Sequence, residues 1–238
     1  MSAKRFWGRG IQVGGWTVLD KDSLKHAKVS RLRDGEEMEL IDGRGNFWRG
    51  VFEKEGIRIK EVGSVPQTMP EIILAVGVTQ GGTMEDIVRQ ATELGVSEII
   101  PLKTRNSAPE REEKRVAAKL ERWERIAAEA CKQSGLYWKP RVWAPTIISQ
   151  VIEHNAEAKH VVAALGEKTT PWAKVSFKDV SKIVVWIGPE GDFAPEEYQR
   201  LKDAKATFVG LGTTVLRVET ACVAALSRVA QRVEALRA

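Results

Sequence analysis

IVVWIGPEGDF, residues 183–193, is the stretch that decides how this chain is interpreted. Its five consecutive apolar residues, Ile183 to Ile187, predict a strand buried on both faces of a sheet. The run ends at Gly188-Pro189-Glu190-Gly191, where proline fixes the backbone and glycine permits a sharp turn. A rigid turn with one carboxylate at the end of a core strand favours a ligand site, although ordinary strand-to-helix turns also contain glycine.

Outwards from this strand, apolar runs alternate with helix-period stretches from residue 71 onwards. The predicted strands are 71–78, 96–102, 141–144, 160–165, 182–187 and 206–211, and the predicted helices are 83–94, a long one within 109–133, 146–154, 195–203 and 218–236. Thr83 is the expected cap of the first helix and Gly95 its stop signal, while Ser107 to Glu110 predict a capping box for the second. This alternation predicts an α/β domain with a mostly parallel sheet and helices on both faces.

Residues 1–62 carry β-type patterns instead. EEMELIDGRGNFWRGVFE, residues 36–53, places two strand-like runs around Asp42-Gly43, which is a strong hairpin signal. IRIKEV, residues 57–62, begins with the apolar/polar alternation of a half-buried strand. SVPQTMP, residues 64–70, is predicted to be a linker because it has two prolines and no periodicity. We therefore expect a small barrel or sandwich over residues 1–66 and a second domain over 67–238.

Three predicted strands of the second domain end at glycine. They are followed by Leu165-Gly166, by Gly188 to Gly191, and by Leu211-Gly212. Ligands of open parallel sheets bind outside the carboxyl ends of the strands, so three such ends together favour a shallow pocket. The phosphate-binding patterns GxGxxG and GxxxxGK[ST] and the nucleophile pattern GxSxG are absent from the sequence. A cofactor that is bound by backbone groups and apolar side chains therefore fits this pocket better than a phosphate-bound nucleotide or a nucleophile-based active site.

The basic residues are concentrated in two segments of a chain whose formal net charge is +5. Residues 1–33 carry eight basic against two acidic side chains, a local +6, and residues 103–141 carry eleven against six, a local +5. Such clusters suit a polyanion because each neutralised phosphate releases counterions; a solvated charged face is the plainer alternative. The candidate phosphate-contacting residues are Arg9, Lys25, Lys28, Arg31, Arg33 and Arg105.

The composition, 43% hydrophobic and 29% charged, is typical of a soluble globular protein. No apolar run approaches the ~20 residues of a membrane span, and MSAKRFWGRG at the start lacks a signal peptide's apolar stretch, so we expect a cytoplasmic location and no membrane partner. Cys131 and Cys222 are expected to be buried free thiols. The three histidines are scattered without metal-ligand spacing, so we expect no metal.

Two stretches taken together resemble a known family. IGPEGDF, residues 187–193, followed by LGTTVLRVETA, residues 211–221, resembles the knotted SPOUT-class methyltransferases. More narrowly, the pair is similar to the bacterial 16S ribosomal RNA uridine-N3 methyltransferase family (RsmE-like). QATELGVSEIIPL at 90–102, RWERIAAEACKQS at 122–134 and HAKVSRLRDGE at 26–36 are also similar to that family, so the resemblance covers nearly the whole chain.

The resemblance implies a PUA-like β-barrel over 1–66 that holds RNA and a SPOUT α/β domain over 67–238 with a C-terminal trefoil knot. It implies S-adenosylmethionine as methyl donor, a uridine of 16S ribosomal RNA within the small subunit as substrate, and a homodimer. The helix predicted at 218–236 suits a dimer contact because its apolar positions are wider than one core stripe, although a helix wrapped in its own domain is the alternative. The expected donor-binding residues are Leu165, Gly166, Ile187, Gly188, Pro189, Glu190, Gly191, Leu211, Gly212, Val215, Leu216, Arg217, Thr220 and Ala221.

Methylation at N3 of a uridine requires removal of a proton whose pKa lies well above neutral. The enzyme therefore needs a base, or a positive group that stabilises the uracil anion. Arg217 suits the second role. Glu190 and Glu219 are candidates for the base, but each could instead bind the donor's ammonium group or support a helix N-terminus.

The sequence departs from the family pattern at several positions. Asp192 stands where the family usually has a glycine, Leu136 and Asn106 stand where arginines are common, and QGGTME at 80–85 lacks the usual lysines. Three other functions remain open at this point. A nucleotide-dependent enzyme of the doubly wound type is one, although the sequence lacks its phosphate-binding pattern. A SPOUT methyltransferase acting on another RNA position, such as a ribose 2′-oxygen, would share the fold, and a non-catalytic RNA-binding adaptor would share the basic segments.

Overall fold

The computed structural model describes residues 4–10, 12–107, 113–165 and 168–236. By their internal contacts the residues form two compact units. The first unit comprises Met1–Gln67 together with Cys131–Lys139, and the second comprises Thr68–Ala130 and Pro140–Ala238. The sequence predicted one domain boundary, between residues 66 and 67, and assigned residues 131–139 to the second domain. That boundary stays a prediction.

The first unit is built on a five-stranded sheet and one helix. In chain order its elements are β1 (Lys4–Trp7), β2 (Trp16–Val18), α1 (Lys21–Val29), β3 (Glu37–Ile41), β4 (Asn46–Glu53) and β5 (Gly56–Ser64). The strand order is β1-β3-β4-β5-β2, and every neighbouring pair is antiparallel except β1 with β3. The hairpin predicted around Asp42 is confirmed, because Asp42 Oδ1 accepts hydrogen bonds from the backbone N–H of Arg44 and of Asn46.

Helix α1 was not predicted, and the all-β interpretation of residues 1–62 is wrong at this point. Its sequence, KDSLKHAKV, offers too few apolar residues for a helix-period stripe. The local signal is the cap: Asp20 Oδ1 accepts a hydrogen bond of 2.7 Å from the backbone N–H of Ser23. Ala27, 1% exposed, then packs into the core cluster that Phe6 and Leu40 share.

Residues 131–139 join the first unit through a buried ionic cluster. Glu39 is only 2% exposed, and its two carboxylate oxygens lie 2.6 Å from Nε of Arg5 and 2.6 Å from Nε of Arg49. Arg49 also donates to the hydroxyl of Tyr137, and Arg5 donates to the carbonyl of Leu136. A buried carboxylate persists only when it is paired, so these contacts tie the segment to the sheet.

The second unit is an α/β sandwich around a six-stranded sheet. Its strands are β6 (Glu71–Gly77), β7 (Glu98–Leu102), β8 (Arg141–Val142), β9 (Lys159–Ala163), β10 (Lys182–Ile187) and β11 (Thr207–Val209). Its helices are α2 (Thr83–Glu93), α3 (Glu113–Ser134, whose last residues belong to the first unit), α4 (Ile148–His154), α5 (Pro195–Asp203) and α6 (Val218–Glu234). All strand pairs are parallel, in the order β11-β9-β10-β6-β7-β8, which confirms the predicted parallel sheet.

Side chains of β10 alternate between two cores. Ile183, Val185 and Ile187 face a cluster that includes residues of α2, α3 and α6, whereas Val184 and Trp186 face a cluster that includes residues of α4 and α5. A strand covered on both faces needs apolar residues at every position, which is why the run is unbroken.

One helix start differs from the expectation, and another cannot be compared with it because its residues lie outside the described part of the chain. The N-cap of α2 is Gly82 and makes no side-chain hydrogen bond, so the prediction of Thr83 as cap is wrong; Thr83 is the first helical residue. Gly95, with φ +78°, follows the helix as predicted. The capping box predicted before α3 includes Ala108 to Glu110, which lie outside the described residues. Both cysteines are free and buried.

Candidate functional site

A cavity of about 500 Å³ lies at the carboxyl ends of β9, β10 and β11 and at the N-terminus of α6. The three glycine-bearing strand ends therefore do converge, as the sequence predicted. The lining residues are Thr83, Ala163, Ala164, Leu165, Ile187, Gly188, Pro189, Glu190, Asp192, Leu211, Gly212, Thr214, Val215, Leu216, Arg217, Val218, Glu219 and Ala221.

The turn after β10 depends on two glycines. A Cβ at Gly77, the last residue of β6, would lie 2.5 Å from Cδ of Pro189. A Cβ at Gly188 would lie 2.8 Å from Oδ1 of Asp192 and 3.1 Å from its Cα. Any side chain at either position would displace the turn, so glycine is what allows Pro189 and the residues after it to form this wall of the cavity.

Glu190 connects two loops at the edge of the sheet. Its Oε1 accepts a hydrogen bond of 3.0 Å from the backbone N–H of Gln80, in the loop between β6 and α2. The side chain is exposed, and it both lines the cavity and holds the turn in place.

Asp192 adopts a left-handed conformation with φ +59°, which is unusual for a residue other than glycine. Its Oδ1 accepts a hydrogen bond from the backbone N–H of Phe193, and the hydroxyl of Tyr198 lies within hydrogen-bond distance of both carboxylate oxygens. Asn106 Nδ2 donates to the carbonyls of Gly191 and Asp192. The aspartate and the asparagine that depart from the family pattern thus act on the same turn.

Arg217 and Glu219 lie at the N-terminus of α6. Arg217 is the exposed N-cap residue, and Glu219 is in the first helical turn. Within the described part of the chain, neither side chain has a hydrogen-bond or ion-pair partner. The charged lining residues are Glu190, Asp192, Glu219 and Arg217, three carboxylates against one guanidinium. This wall therefore favours a ligand that carries positive charge.

Two large apolar side chains of the cavity wall are exposed to solvent. Leu165 is 52% exposed and Val215 is 77% exposed. Leu165 follows β9 and Val215 lies between β11 and α6, and exposed apolar groups in one concavity are typical of a site that is covered when its ligand binds.

Comparison with known proteins places the chain in a family. Residues 66–230 match the model of the RNA methyltransferase domain, and residues 19–61 match that of the RNA methyltransferase PUA domain. A ribosomal RNA small subunit methyltransferase E from Mycobacterium tuberculosis is 30% identical over 227 residues, which cover 91% of this chain and 87% of the relative. The chain belongs to the ribosomal RNA small subunit methyltransferase E family.

Two solved structures share the architecture over almost the whole chain. A putative methyltransferase from Legionella pneumophila, in complex with S-adenosylmethionine, aligns with a TM-score of 0.84 and 28% identity over 97% of this chain and 98% of its own. A ribosomal RNA small subunit methyltransferase E from Neisseria gonorrhoeae, bound to S-adenosylmethionine, aligns with a TM-score of 0.83 and 26% identity over 95% and 96%. The predicted fold class is confirmed as an α/β domain with a parallel sheet that follows a PUA-like domain. The SPOUT class and the trefoil knot stay predictions.

Most residues that the family resemblance implied for the site line the cavity, with three exceptions. Gly166 lies outside the described residues. Gly191 does not line the cavity; a Cβ there would lie 3.0 Å from Cβ of Asn106. Thr220 is exposed on the first turn of α6 and also does not line it. Residues that sequence reasoning missed are Thr83, Ala163, Ala164, Asp192, Thr214 and Val218.

Five of the six candidate phosphate-contacting residues belong to the first unit. Lys25 and Lys28 lie on α1, Arg31 and Arg33 follow it, and Arg9 follows β1; all five side chains are exposed. Of these, Lys28 pairs at 3.5 Å with Glu55, and both partners are well exposed, so the pair opposes a phosphate contact only weakly.

Arg105 differs from these five. It belongs to the second unit, where its guanidinium pairs at 3.1 Å with Glu196 and its backbone N–H donates to Glu197. Its role as an RNA contact stays a prediction.

Among the residues that the structure describes, no group of three or more His, Cys, Asp or Glu side chains could hold a metal ion. No helix in that part of the chain is long and apolar enough to cross a membrane.

Proposed function

We propose that this protein transfers a methyl group from S-adenosylmethionine to N3 of a uridine in 16S ribosomal RNA of the small ribosomal subunit. The observation that carries the proposal is the cavity at three parallel strand ends, formed by the GPEG turn and the LRVETA segment. Family membership supports the reaction class, because relatives over most of the chain are ribosomal RNA small subunit methyltransferases.

The cavity residues fit the proposed methyl donor. A volume of about 500 Å³ lies in the range of small-molecule sites. S-adenosylmethionine carries a positive sulfonium and a positive ammonium group, and three carboxylates against one guanidinium suit those charges. The exposed side chains of Leu165 and Val215 offer apolar contact, and the glycine turn offers backbone N–H and C=O groups.

Arg217 is proposed to stabilise the uracil anion. Its guanidinium lines the cavity and is engaged by no described residue, so it is available to a negative charge that develops on O2 or O4. Glu219 is proposed as the base, because its carboxylate also lines the cavity without a hydrogen-bond partner among those residues. Glu190 is proposed as a structural residue, since the N–H of Gln80 already occupies one of its oxygens.

The first unit is proposed to hold the RNA through phosphate contacts of Arg9, Lys25, Lys28, Arg31 and Arg33. These contacts would help to offset the cost of unstacking the target uridine, which is a few kcal/mol. An enzyme of ribosomal RNA works where ribosomes are assembled, so a cytoplasmic location belongs to this proposal.

A homodimer also belongs to the proposal, but the apolar positions of α6, from which the sequence predicted the dimer contact, support it less than expected. The α6 positions Cys222, Ala225, Val229 and Val233 are buried by the helix's own unit. A dimer must therefore use other surfaces of the helix or of the unit. Light scattering at micromolar concentration tests the assembly, and a monomeric mass would contradict it.

The experiment that tests the function is methyl transfer from labelled S-adenosylmethionine to small ribosomal subunits that lack the modification, followed by nucleoside analysis. We expect label in 3-methyluridine. Label in a ribose-methylated nucleoside would show a SPOUT enzyme of another specificity. RNA binding without binding of the donor or its demethylated product would show an RNA-binding adaptor.

A further inference from the structure

The carbonyl of Gly210 is the point at which three parts of the second unit meet. Gly210 follows β11 and precedes the cavity residues Leu211 and Gly212. Its oxygen accepts a hydrogen bond of 2.8 Å from Nε1 of Trp172 and one of 3.0 Å from Nη1 of Arg228. Neither donor lines the cavity, and neither is used by the proposed chemistry.

Arg228 binds two consecutive carbonyls with one guanidinium. Its Nη1 donates to Gly210, and its Nη2 donates at 3.1 Å to the carbonyl of Leu211. The fork geometry of guanidinium matches such paired acceptors, and the positive charge strengthens both bonds. The guanidinium carbon also lies 5.7 Å from the centre of the Trp172 ring, so the two donors support each other.

Helix α6 therefore shapes the cavity through residues at two positions along its length. Its N-terminal residues, Arg217 to Glu219, line the cavity directly. Arg228 lies eleven residues further on, about 16 Å along the axis, and reaches the chain where it leaves β11. The segment from Leu211 to Arg217 is therefore anchored at both ends by the same rigid element, with Trp172 fixing it to the chain that follows β9.

We propose that Arg228, assisted by Trp172, is a positioning residue for the methyl-donor site: it holds the carbonyls of Gly210 and Leu211 so that the segment up to Arg217 keeps its binding geometry. This inference rests on the proposed function. Without the guanidinium, the carbonyl of Leu211 turns to water and the carbonyl of Gly210 keeps only the hydrogen bond from Trp172, so the segment samples other conformations. The apparent affinity then falls with the fraction of molecules that remain competent.

The test measures binding of S-adenosylhomocysteine by calorimetry and unfolding by circular dichroism, on the full chain. Arg228→Ala is expected to weaken binding about tenfold or more, because two charge-assisted hydrogen bonds are removed. Arg228→Lys keeps the charge without the fork and is expected to recover part of the affinity. Trp172→Phe removes only the indole donor and is expected to weaken binding roughly threefold.

Arg232→Ala is the matched control. Arg232 lies one turn further along α6 and also donates to two carbonyls, those of Ala173 and Val175, which do not line the cavity. Its removal is expected to lower the unfolding temperature as much as Arg228→Ala does, while the affinity changes less than about twofold. In turnover assays, Arg228→Ala is expected to raise KM for the donor and leave kcat nearly unchanged at saturation.

Unchanged affinity in Arg228→Ala, or an equal decrease in Arg232→Ala, would overturn the positioning role while wild-type binding still supported the proposed function. If Arg228→Ala does not fold, Arg228→Lys and Trp172→Phe decide the question in the same way. Absence of binding by the wild-type protein would instead contradict the proposed function itself, and this inference with it.

Discussion

The hydroxyl oxygen of Tyr198 lies 2.8 Å from Oδ1 and 2.9 Å from Oδ2 of Asp192, so one phenolic hydrogen serves both oxygens of a carboxylate in the wall of the cavity. Tyr198 lies on α5 and is 7% exposed. The contact fixes a residue whose left-handed backbone, φ +59°, is otherwise suited to glycine. A side chain on the next helix thus compensates for the departure from the family's glycine.

The first prediction concerns this pair. Tyr198→Phe is expected to lower the free energy of unfolding by about 1–2 kcal/mol, because a partly buried carboxylate loses a hydrogen bond. Asp192→Gly removes the carboxylate and restores the residue that the conformation favours, so Tyr198→Phe in that background should cost less. Urea unfolding of the two single variants and the double variant gives the coupling, expected at about 1 kcal/mol. Additive effects would mean that the contact does not stabilise the turn.

The second prediction concerns Gly188. Gly188→Val is expected to abolish binding of S-adenosylhomocysteine, because the first side-chain carbon alone would come within 2.8 Å of Asp192 Oδ1. Gly82→Ala is the control, since a Cβ there meets no atom within 4 Å and φ is −89°. Calorimetry measures binding, and circular dichroism checks the fold. Normal affinity in Gly188→Val would show that the turn can move without damage to the site.

The third prediction separates chemistry from RNA binding. Arg217→Ala is expected to reduce the methylation rate about 10²-fold at saturating donor, because its contact strengthens only as the uracil becomes anionic. RNA affinity should stay nearly intact, and Arg217→Lys should retain part of the rate. Single-turnover kinetics and filter binding measure the two quantities. Full turnover in Arg217→Ala would refute its role and make the carboxylates the better candidates.

The fourth prediction concerns the basic surface of the first unit. Reversal of charge at Lys28 and Arg31 is expected to weaken RNA binding and to flatten its salt dependence by about one unit of log–log slope for each phosphate that is no longer neutralised. Affinity for the donor should not change. Reversal at Lys178 and Lys205, two exposed lysines of the second unit, matches the change in net charge and serves as control. Equal effects of the two double reversals would indicate only a long-range charge effect.

The fifth prediction concerns the thiols. Burial raises the pKa of Cys131 to about 11 and raises the pKa of Cys222 as well. A raised pKa keeps the thiol protonated at neutral pH, and the thiolate is the reactive form. Iodoacetamide at pH 7 is therefore expected to label neither cysteine in the folded protein and both in urea, as mass spectrometry can show. Rapid labelling of the folded protein would contradict the burial.

The sequence predicted features that depend on residues close together in the chain. The hairpin at Asp42 and strand β10 follow from local turn chemistry and an unbroken apolar run. Helix α1 was missed because its signal is a single cap at Asp20 rather than an apolar stripe. The position of the cavity was predicted from glycines, since parallel strand ends share one edge of the sheet.

Contacts between distant residues could not be predicted. Tyr137 joins the first unit because its hydroxyl meets Arg49, 88 residues earlier. Asn106 reaches the carbonyl of Gly191, 85 residues away. Each pairing depends on the finished fold, and neither the periodicity nor the turn signals around the two partners predict that they meet.

The strand order has a consequence for how the protein is made. β6 and β10 are neighbours at the centre of the sheet, yet Glu71 pairs with Lys182, so the partners are 111 positions apart in the sequence (182 − 71). Closing so long a loop slows folding, because its entropy is lost before the partners can pair. On the ribosome, the central pair cannot assemble until β10 has left the exit tunnel, and the cavity needs α6 as well. Synthesis of almost the entire chain therefore precedes any binding of the methyl donor, and in the meantime the nascent protein exposes the edge of β6 that later pairs with β10.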